Sequence, residues 1–147
     1  MIDCTFEEGF KANLRHCVVD TIVTNSEGQI LLIKRAAHMN KGAGLWALPG
    51  GFVDRDETTL DAARREVLEE TGYELLSIER IAIIDDPQRG DDRQNIAFVH
   101  KGIAGEKVQE PDDESEDMRW FDVNGLPAQD QLAFDHMDIL KRYWITN

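Results

Sequence analysis

One predicted helix constrains this chain more than any other segment, because its start, its end and its faces can all be located. The run from Thr58 to Thr71 contains no proline or glycine. Thr58 or Asp56 can cap its start, and Gly72 can close its end in a left-handed conformation. At about 100° per residue, one stripe carries Leu60, Ala63, Val67 and Thr71. We predict that this stripe packs against a core.

The rest of the chain reads mostly as β-structure around that helix. The β-branched run 16–24, the turn 25–28 and the run 29–34 predict a hairpin. Further strands are predicted at 75–84, with a charged interruption at 79–80, and at 95–101 and 118–123. Residues 105–117 predict an acidic loop, and residues 131–143 have roughly helical spacing. Because strands and helices mix without strict alternation, we predict an α/β fold with helices on a mixed sheet.

Length and composition fit one domain over residues 1–147 that buries a single core. No apolar run approaches the roughly 20 residues that a membrane span needs. The first ten residues carry three acids and no base, unlike a signal or transit peptide. We therefore expect a cytoplasmic protein without membrane contact. Cys17 lies in an apolar run, which predicts a buried thiol that is not paired with Cys4.

The formal net charge of −13 bears on the class of partner. So acidic a surface repels phosphate backbones, which argues against long nucleic acid as a ligand. A small phosphorylated substrate stays compatible with this charge, because bound metal ions can invert the local field.

Three glutamates on the predicted helix, Glu66, Glu69 and Glu70, share an arc beside the apolar stripe. Charge runs of this kind are usually solvated helix faces, and that reading stays open. Two costs argue against it here. Like charges at i and i+4 repel, and acids near a helix C-terminus meet partly negative carbonyls. A divalent cation such as Mg²⁺ would remove both costs, because it prefers carboxylate oxygens.

The residues before the helix extend this pattern. Gly51 is followed after five residues by Glu57, and after seven more by Arg65-Glu66-Val67, Glu69-Glu70, Gly72 and Tyr73. This spacing resembles the box of the Nudix hydrolase family at every defined position except the last, where Tyr73 replaces an aliphatic residue. The lead-in at 45–53 and the segment 119–121 look similar to the family as well, so the resemblance extends over most of the chain.

The resemblance implies an α/β/α sandwich around a mixed sheet and a metal-dependent hydrolase that cuts a diphosphate bond in a nucleoside-diphosphate derivative. It implies that Mg²⁺, with Mn²⁺ as the alternative ion, is bound by Glu66, Glu69, Glu70 and the Gly51 carbonyl. It also implies that Glu57 and Arg65 pair to hold the box together. Direct binding of phosphate by Arg65 is the alternative role for that side chain.

The general base is less sharply indicated by the sequence. The family uses either a box glutamate or an acid from a later loop. Glu114 lies six residues before Trp120, a spacing similar to that of the loop base in some members, so we predict Glu114 first and Glu70 second. The loop carries several other acids, and a purely solvated loop is the alternative.

Substrate contacts are predicted at Arg35, Phe52 and Arg89. Arginine suits phosphate oxygens, and an aromatic ring can stack on a base. Trp46 and Phe98 could also stack a base, although aromatics beside strands are more often core residues. The four histidines lack metal-ligand spacing, and no chemistry is assigned to them.

The resemblance implies a small nucleotide as the substrate or ligand. The lead-in at 46–53 and the segment around Arg89 look similar to family members that cut ADP-ribose, which predicts AMP and ribose 5-phosphate as products. A nucleoside triphosphate, including an oxidised one, is the alternative substrate. A third reading is a nucleotide-ligand sensor without catalysis, although such proteins often lose box carboxylates that are present here. A homodimer is expected from family habit.

Overall fold

The computed structural model describes residues 1–89 and 94–145. The strands are β1 (Ile2–Thr5), β2 (Lys11–Leu14), β3 (Cys17–Thr24), β4 (Ile30–Arg35), β5 (Trp46–Ala47), β6 (Gly50–Phe52), β7 (Tyr73–Ile84), β8 (Ile96–Lys107) and β9 (Ser115–Phe121). The helices are α1 (Thr59–Thr71) and α2 (His136–Leu140), and a π-helical turn continues α2 over Lys141–Ile145. Short 3-10 turns cover Val123–Gly125 and Gln129–Gln131.

β3 lies at the centre of a seven-stranded mixed sheet with the order β5-β4-β3-β8-β7, in which β6 also pairs with β3 and β9 with β4. β3 and β8 run parallel, and the neighbouring pairs are antiparallel. Val19 on one face of β3 packs against Ala62 and Ala63 of α1. Ile22 on the other face belongs to a cluster that includes Ile139 of α2. Helices therefore cover both faces, and the predicted α/β/α sandwich is confirmed.

The ends of α1 form as predicted. The Thr58 hydroxyl accepts a hydrogen bond from the Asp61 backbone in a capping box, and Gly72 closes the helix at φ 78°. Ala63, Val67 and Thr71 are fully buried, but the prediction for Leu60 was wrong, since Leu60 is 40 % exposed. The buried face is centred nearer Ala63 and the buried Glu70, so Leu60 falls at its edge.

Some predicted boundaries shift. The charged pair 79–80 does not interrupt β7, because both side chains are exposed on a strand at the edge of the sheet. β8 continues to Lys107 and β9 starts at Ser115, so the acidic loop is only 108–114. Of the predicted helix at 131–143, only 136–140 is α-helical before the π turn.

The N-terminal residues form a separate two-stranded sheet of β1 and β2 that the sequence did not predict. The rings of Phe6 and Phe10 lie 5.6 Å apart at its turn. Cys17 is exposed, so the prediction of a buried thiol was wrong: the buried part of β3 begins only two residues later. Within the described ranges, no helix is long and apolar enough to cross a membrane. The cytoplasmic location stays a prediction.

Candidate active site

The backbone from Leu48 to Gly51 is held from three directions. The Leu48 N–H donates to His136 Nδ1 at 2.9 Å, and the Gly50 N–H donates to Glu70 Oε2 at 2.8 Å. The Pro49 carbonyl accepts from the Thr21 N–H at 2.9 Å. This segment is therefore tied to α2, to α1 and to the central strand.

Two glycines let this segment approach its neighbours. A Cβ at Gly50 would lie 2.0 Å from the Val19 carbonyl oxygen, and a Cβ at Gly51 would lie 2.5 Å from Glu66 Oε1. At Gly50 the obstacle is backbone, so no side chain fits there, whereas a side chain at Gly51 would displace the Glu66 carboxylate. The Gly51 backbone consequently lies directly against a box carboxylate.

The Arg65 guanidinium is the hub of the box. Its Nη2 donates to Glu57 Oε1 at 2.8 Å and its Nε to Glu57 Oε2 at 3.1 Å, so the pairing is bidentate. Nη2 also donates to the Phe52 carbonyl at 3.0 Å. On the other side, Nη1 donates to Glu66 at 2.8 Å and to Glu69 at 3.1 Å. Arg65 thus holds the loop before α1 against two of the helix glutamates.

The three helix glutamates differ in their environments. Glu69 is the most exposed, with 45 % of its side chain accessible, whereas the Glu66 side chain is 13 % accessible. Glu70 is only 1 % exposed, so the predicted outer arc holds for two of the three residues. Burial raises the pKa of Glu66 to about 7, against the opposing effect of Arg65. Burial likewise raises the pKa of Glu70, with the charge of Glu66 adding to it.

The chemistry of this group of side chains fits a divalent cation. All its donors are carboxylate oxygens, which suit Mg²⁺ and Mn²⁺, and the charges of Glu69 and Glu114 help to raise the pKa of Glu66. The geometry is less complete. Over residues 1–89 and 94–145, no three His, Cys, Asp or Glu side chains stand together as a ready metal site. Arg65 instead binds Glu66 and Glu69, while Glu70 points to Gly50.

A cavity of about 620 Å³ opens beside the box. Its lining includes most of the predicted site residues, namely Arg35, Gly51, Phe52, Arg65, Glu66, Glu69, Arg89 and Glu114. Glu70 is not part of the lining. Residues far apart in the sequence therefore meet around one space of the size that small-molecule sites usually have.

Glu114 lies at the end of the loop 108–114, whose last residues line the cavity. The Asp112 N–H donates to the Glu69 carbonyl at 2.8 Å, which ties this loop to α1. The Glu114 carbonyl accepts from the Ala36 N–H at 2.8 Å, and its own N–H donates to Asp112 Oδ1 at 3.0 Å. The backbone is fixed while the Glu114 side chain stays exposed. Glu114 is therefore accessible to a substrate or water, whereas Glu70 is enclosed.

The aromatic residues considered for stacking on a base differ in whether they line the cavity. Phe52 lines the cavity and is 44 % exposed. Trp46 packs edge-on against Phe121 at 5.1 Å, and Phe98 lies under Arg80 at 5.9 Å. Neither ring lines the cavity, so both are packing residues. Arg35 does line it, with its guanidinium 5.3 Å from the exposed ring of Phe134.

Arg89 belongs to a half-buried polar cluster that the sequence reasoning missed. It forms a bidentate pair with Asp135 and lies 3.7 Å from Asp20 Oδ2. His136 Nε2 lies 3.3 Å from Asp20 Oδ1. Burial disfavours the charge on Asp20, but His136 and Arg89 outweigh it and lower the pKa of Asp20. All four side chains line the cavity.

A signal for this cluster was present in the sequence. Asp20 is an acid within the β-branched run of a central strand, where an uncompensated charge would be costly. An acid at such a position calls for a buried partner. Asp135-His136 supplies one from the C-terminal segment, but nothing in the spacing of the two segments links them.

Comparison with known proteins places this geometry in a family. The model of the NUDIX domain matches residues 14–143. An ADP-ribose pyrophosphatase of Methanocaldococcus jannaschii is 39 % identical over 128 residues, which cover 85 % of this chain and 70 % of the relative. The ADPR-responsive transcriptional repressor NtrR of Acinetobacter baylyi is 33 % identical over 82 % of this chain, which spans about half (48 %) of that protein. The NUDIX domain of Shewanella oneidensis NrtR, solved with ADP ribose, superimposes with a TM-score of 0.73 at 25 % identity, over 93 % of this chain and 90 % of the other.

Proposed function

The chain belongs to the Nudix family, and we propose that it hydrolyses the diphosphate bond of ADP-ribose to give AMP and ribose 5-phosphate. The observation that carries the proposal is the cavity of about 620 Å³, in which box carboxylates meet Arg35 and Arg89. The identity of 39 % with an ADP-ribose pyrophosphatase supports ADP-ribose as the first substrate to test.

Glu66, Glu69, Glu70 and the Gly51 carbonyl are the groups that would hold Mg²⁺, or Mn²⁺ in its place. When bound, a divalent cation supplies charge stabilisation at the diphosphate and acidity at an attacking water. The other groups of the protein hold these carboxylates in position. Arg65 aligns Glu66 and Glu69 with the loop before α1, and the Gly50 N–H fixes Glu70. Arg35 adds positive charge on the cavity wall, where the diphosphate would bind.

Glu114 is the side chain we assign as general base. It is exposed on the cavity wall, whereas Glu70 is 1 % exposed and already accepts a hydrogen bond from Gly50. A general base contributes about 10²- to 10⁴-fold to a rate. Glu114→Gln is therefore expected to lower kcat at least about 100-fold with little change in KM. Glu110→Gln, an acid of the same loop outside the cavity, is the matched control, and an equal loss in both variants would reject the assignment.

The activity test uses ADP-ribose, NADH, diadenosine polyphosphates and the common triphosphates with Mg²⁺. AMP and ribose 5-phosphate are expected from ADP-ribose, with turnover lost in Glu69→Gln and kept in Glu79→Gln, an exposed glutamate on β7. Turnover of a triphosphate without any from ADP-ribose would replace the proposed substrate with the alternative.

A ligand sensor without catalysis is the second candidate function. It is favoured by the 33 % identity with NtrR, a repressor described as ADPR-responsive. Binding of ADP-ribose without product formation under Mg²⁺ or Mn²⁺ would select this function. The complete set of box carboxylates and Arg65 favours the enzyme.

The proposal extends to a homodimer. The separate β1–β2 sheet exposes apolar side chains, including Ile2 at 43 %, Phe6 at 44 % and Phe10 at 66 %. Exposed apolar surface of this kind is typical of protein interfaces. Sedimentation equilibrium is expected to give twice the chain mass for the wild type and to shift towards the monomer in Phe6→Ser/Phe10→Ser. A monomeric wild type would reject the dimer.

A further inference from the structure

We propose that one wall of the cavity, formed by Asp20, Arg89, Asn95 and residues 134–136 and called here the distal wall, binds the hydroxyl groups of the sugar beyond the diphosphate. In this assignment Asp135 is the residue that distinguishes a sugar from a terminal phosphate. The inference rests on the proposed function, since it names the part of the site that reads the rest of the substrate.

The distal wall offers hydrogen-bond acceptors to a ligand. Asn95 Oδ1 is buried at the cavity and has no hydrogen-bond partner within the described part of the chain. A buried acceptor without a donor is costly, so a ligand that donates to it is favoured. Asp135 is accessible over 24 % of its side chain, and its oxygens can accept from a ligand in addition to Arg89. Sugar hydroxyls are donors of the required kind.

The charge of the distal wall opposes a phosphate. Arg89 is its one arginine, and both Asp135 and Asp20 already pair with it. Two carboxylates against one guanidinium leave an excess of negative charge, so a terminal phosphate would be repelled there. Near the box, Arg35 acts on the charge of Glu70, and Lys41 also lines the cavity. The acids Glu66, Glu69 and Glu114 line it as well, so a diphosphate there relies on these cations together with a divalent ion held by the box. The cavity therefore offers cations for a diphosphate and acceptors for a hydroxylated group.

Phe134 adds an apolar surface next to these acceptors. It is 53 % exposed, and its ring lies 5.3 Å from the Arg35 guanidinium and 5.3 Å from the His136 ring. Its φ of 56° is uncommon for a residue with a side chain and is characteristic of functional sites when the surroundings enforce it. The ring consequently lies beside both the Arg35 guanidinium and the His136 ring, where the carbon face of a sugar can rest.

The distal wall is also fixed relative to the box. His136 Nδ1 accepts from the Leu48 N–H, which leaves Nε2 as the nitrogen that donates to Asp20. Leu48 is followed directly by the segment 49–51 that contacts Glu66 and Glu70. A substrate held at the distal wall is therefore held at a set distance from the box, which is the condition for positioning its diphosphate.

The experiment compares ADP-ribose with ATP, which shares the adenosine and diphosphate but ends in a phosphate. Asp135→Asn and Asn95→Ala are each expected to lower kcat/KM for ADP-ribose at least about tenfold, mainly through KM, since a hydrogen bond to a charged or buried acceptor contributes about that factor. For ATP, kcat/KM is expected to stay within about twofold or to rise in Asp135→Asn. Asp138→Asn, an exposed acid of α2 outside the cavity, is the matched control.

Each outcome decides the inference. Equal losses for both substrates would place the adenosine at the distal wall and overturn the proposal, as would no loss for ADP-ribose in either variant. Asn95→Ala covers the case in which Asp135→Asn fails to fold, because Asn95 Oδ1 has no described partner to lose.

If the proposed function is wrong, the wild type itself will form no AMP from ADP-ribose, and this result is distinct from any effect of the variants. Calorimetric binding of ADP-ribose and of AMP then decides the inference. The wild type is expected to bind ADP-ribose at least about tenfold more tightly than AMP, and Asp135→Asn to remove the difference. Equal affinity for the two ligands in the wild type would overturn the distal wall as a sugar site, whatever the catalytic result.

Discussion

Arg65 binds five oxygens, on Glu57, Phe52, Glu66 and Glu69, and its planar fork is what makes this possible. Lysine keeps the charge but cannot form the bidentate pair. Arg65→Lys is therefore expected to lower the free energy of unfolding by about 2 kcal/mol and to lower kcat more than it raises KM. Urea unfolding and steady-state kinetics measure the two effects.

Arg55→Lys is the matched control for that variant. Arg55 pairs with Asp56 at 3.0 Å, but the two side chains are 91 % and 77 % exposed. An exposed ion pair contributes little to stability, so this change is expected to leave both measurements unaltered. An equal effect of the two substitutions would mean that Arg65 matters only as a charge.

His100 makes stability depend on pH. It is fully buried opposite Thr21, and neither ring nitrogen has a hydrogen-bond partner among residues 1–89 and 94–145. Burial lowers its pKa below the ordinary value of 6.5. As the pH falls below 6.5, the unfolded chain binds a proton that the folded chain excludes, so the free energy of unfolding decreases.

His100→Leu is expected to reduce this loss of stability between pH 7.5 and pH 5, by up to about 1.4 kcal/mol per pH unit over the affected range. Chemical denaturation at several pH values measures it as the difference between variant and wild type. His38→Gln changes an exposed histidine and should leave the profile unchanged. A wild-type slope that survives in His100→Leu would contradict the prediction.

At the scale of residues, the sequence predicted the box but only Arg89 of the distal wall. Glu57, Arg65 and Glu66 lie within ten residues, and helical geometry relates most of them, so their spacing carries the site. Asp20, Arg89 and Asp135 meet only through the folded sheet, with 46 residues between Arg89 and Asp135 alone. No local pattern encodes a contact of that kind.

At the scale of elements, Gly72 lies at the point where the end of α1 contacts the loop that carries Glu114. Its φ is 78°, and a Cβ would lie 1.9 Å from the Gln109 carbonyl oxygen. Gly72→Ala therefore combines the cost of a left-handed residue, about 1–2 kcal/mol, with a backbone clash. We expect a larger loss of stability than that cost alone, together with a lower kcat as the loop moves.

Gly28→Ala separates the cost of a left-handed residue from the cost of the backbone clash. Gly28 has the same φ of 78° but no neighbour within 4 Å of the added Cβ. It is expected to show the conformational cost alone and normal kinetics. Thermal unfolding and kcat for the two variants test the comparison, and matching losses would show that the loop does not depend on the close approach at Gly72.

The elements themselves were predictable where a local signal was strong. α1 has a capping box, an apolar stripe and a terminal glycine, and it forms over Thr59–Thr71. The β1–β2 sheet and the short α2 have weaker signals: β1 and β2 are four residues each and mostly exposed, and α2 is five residues long. Their form depends on contacts or turns that periodicity does not describe.

At the scale of the whole molecule, the net charge of −13 and the box carboxylates predict that divalent cations raise the stability of the fold. Mg²⁺ at about 100 times its Kd would stabilise the native state by about 2.7 kcal/mol, which corresponds to a Tm increase of about 5–10 °C at this chain length. Calorimetry with and without chelator measures it.

Glu66→Gln is expected to abolish most of that increase. NaCl at equal ionic strength controls for general screening of the acidic surface and should raise Tm less than Mg²⁺ does. Equal Tm in Mg²⁺, chelator and NaCl would indicate an acidic domain without a metal site.

The hydrogen bond between Leu48 and His136 has a consequence for biosynthesis. All box residues have been synthesised once Tyr73 is added, and α1 can form before the rest of the chain is made. The segment 48–51 cannot settle, however, until strand β8 has joined β3 and His136 has been translated, some 60 residues later. Since synthesis proceeds at roughly 5–20 residues per second, the nascent chain spends several seconds with a complete motif and an incomplete pocket. Catalytic competence therefore arises only after His136 has been made, and a chain interrupted before His136 would carry the whole box without an ordered active site.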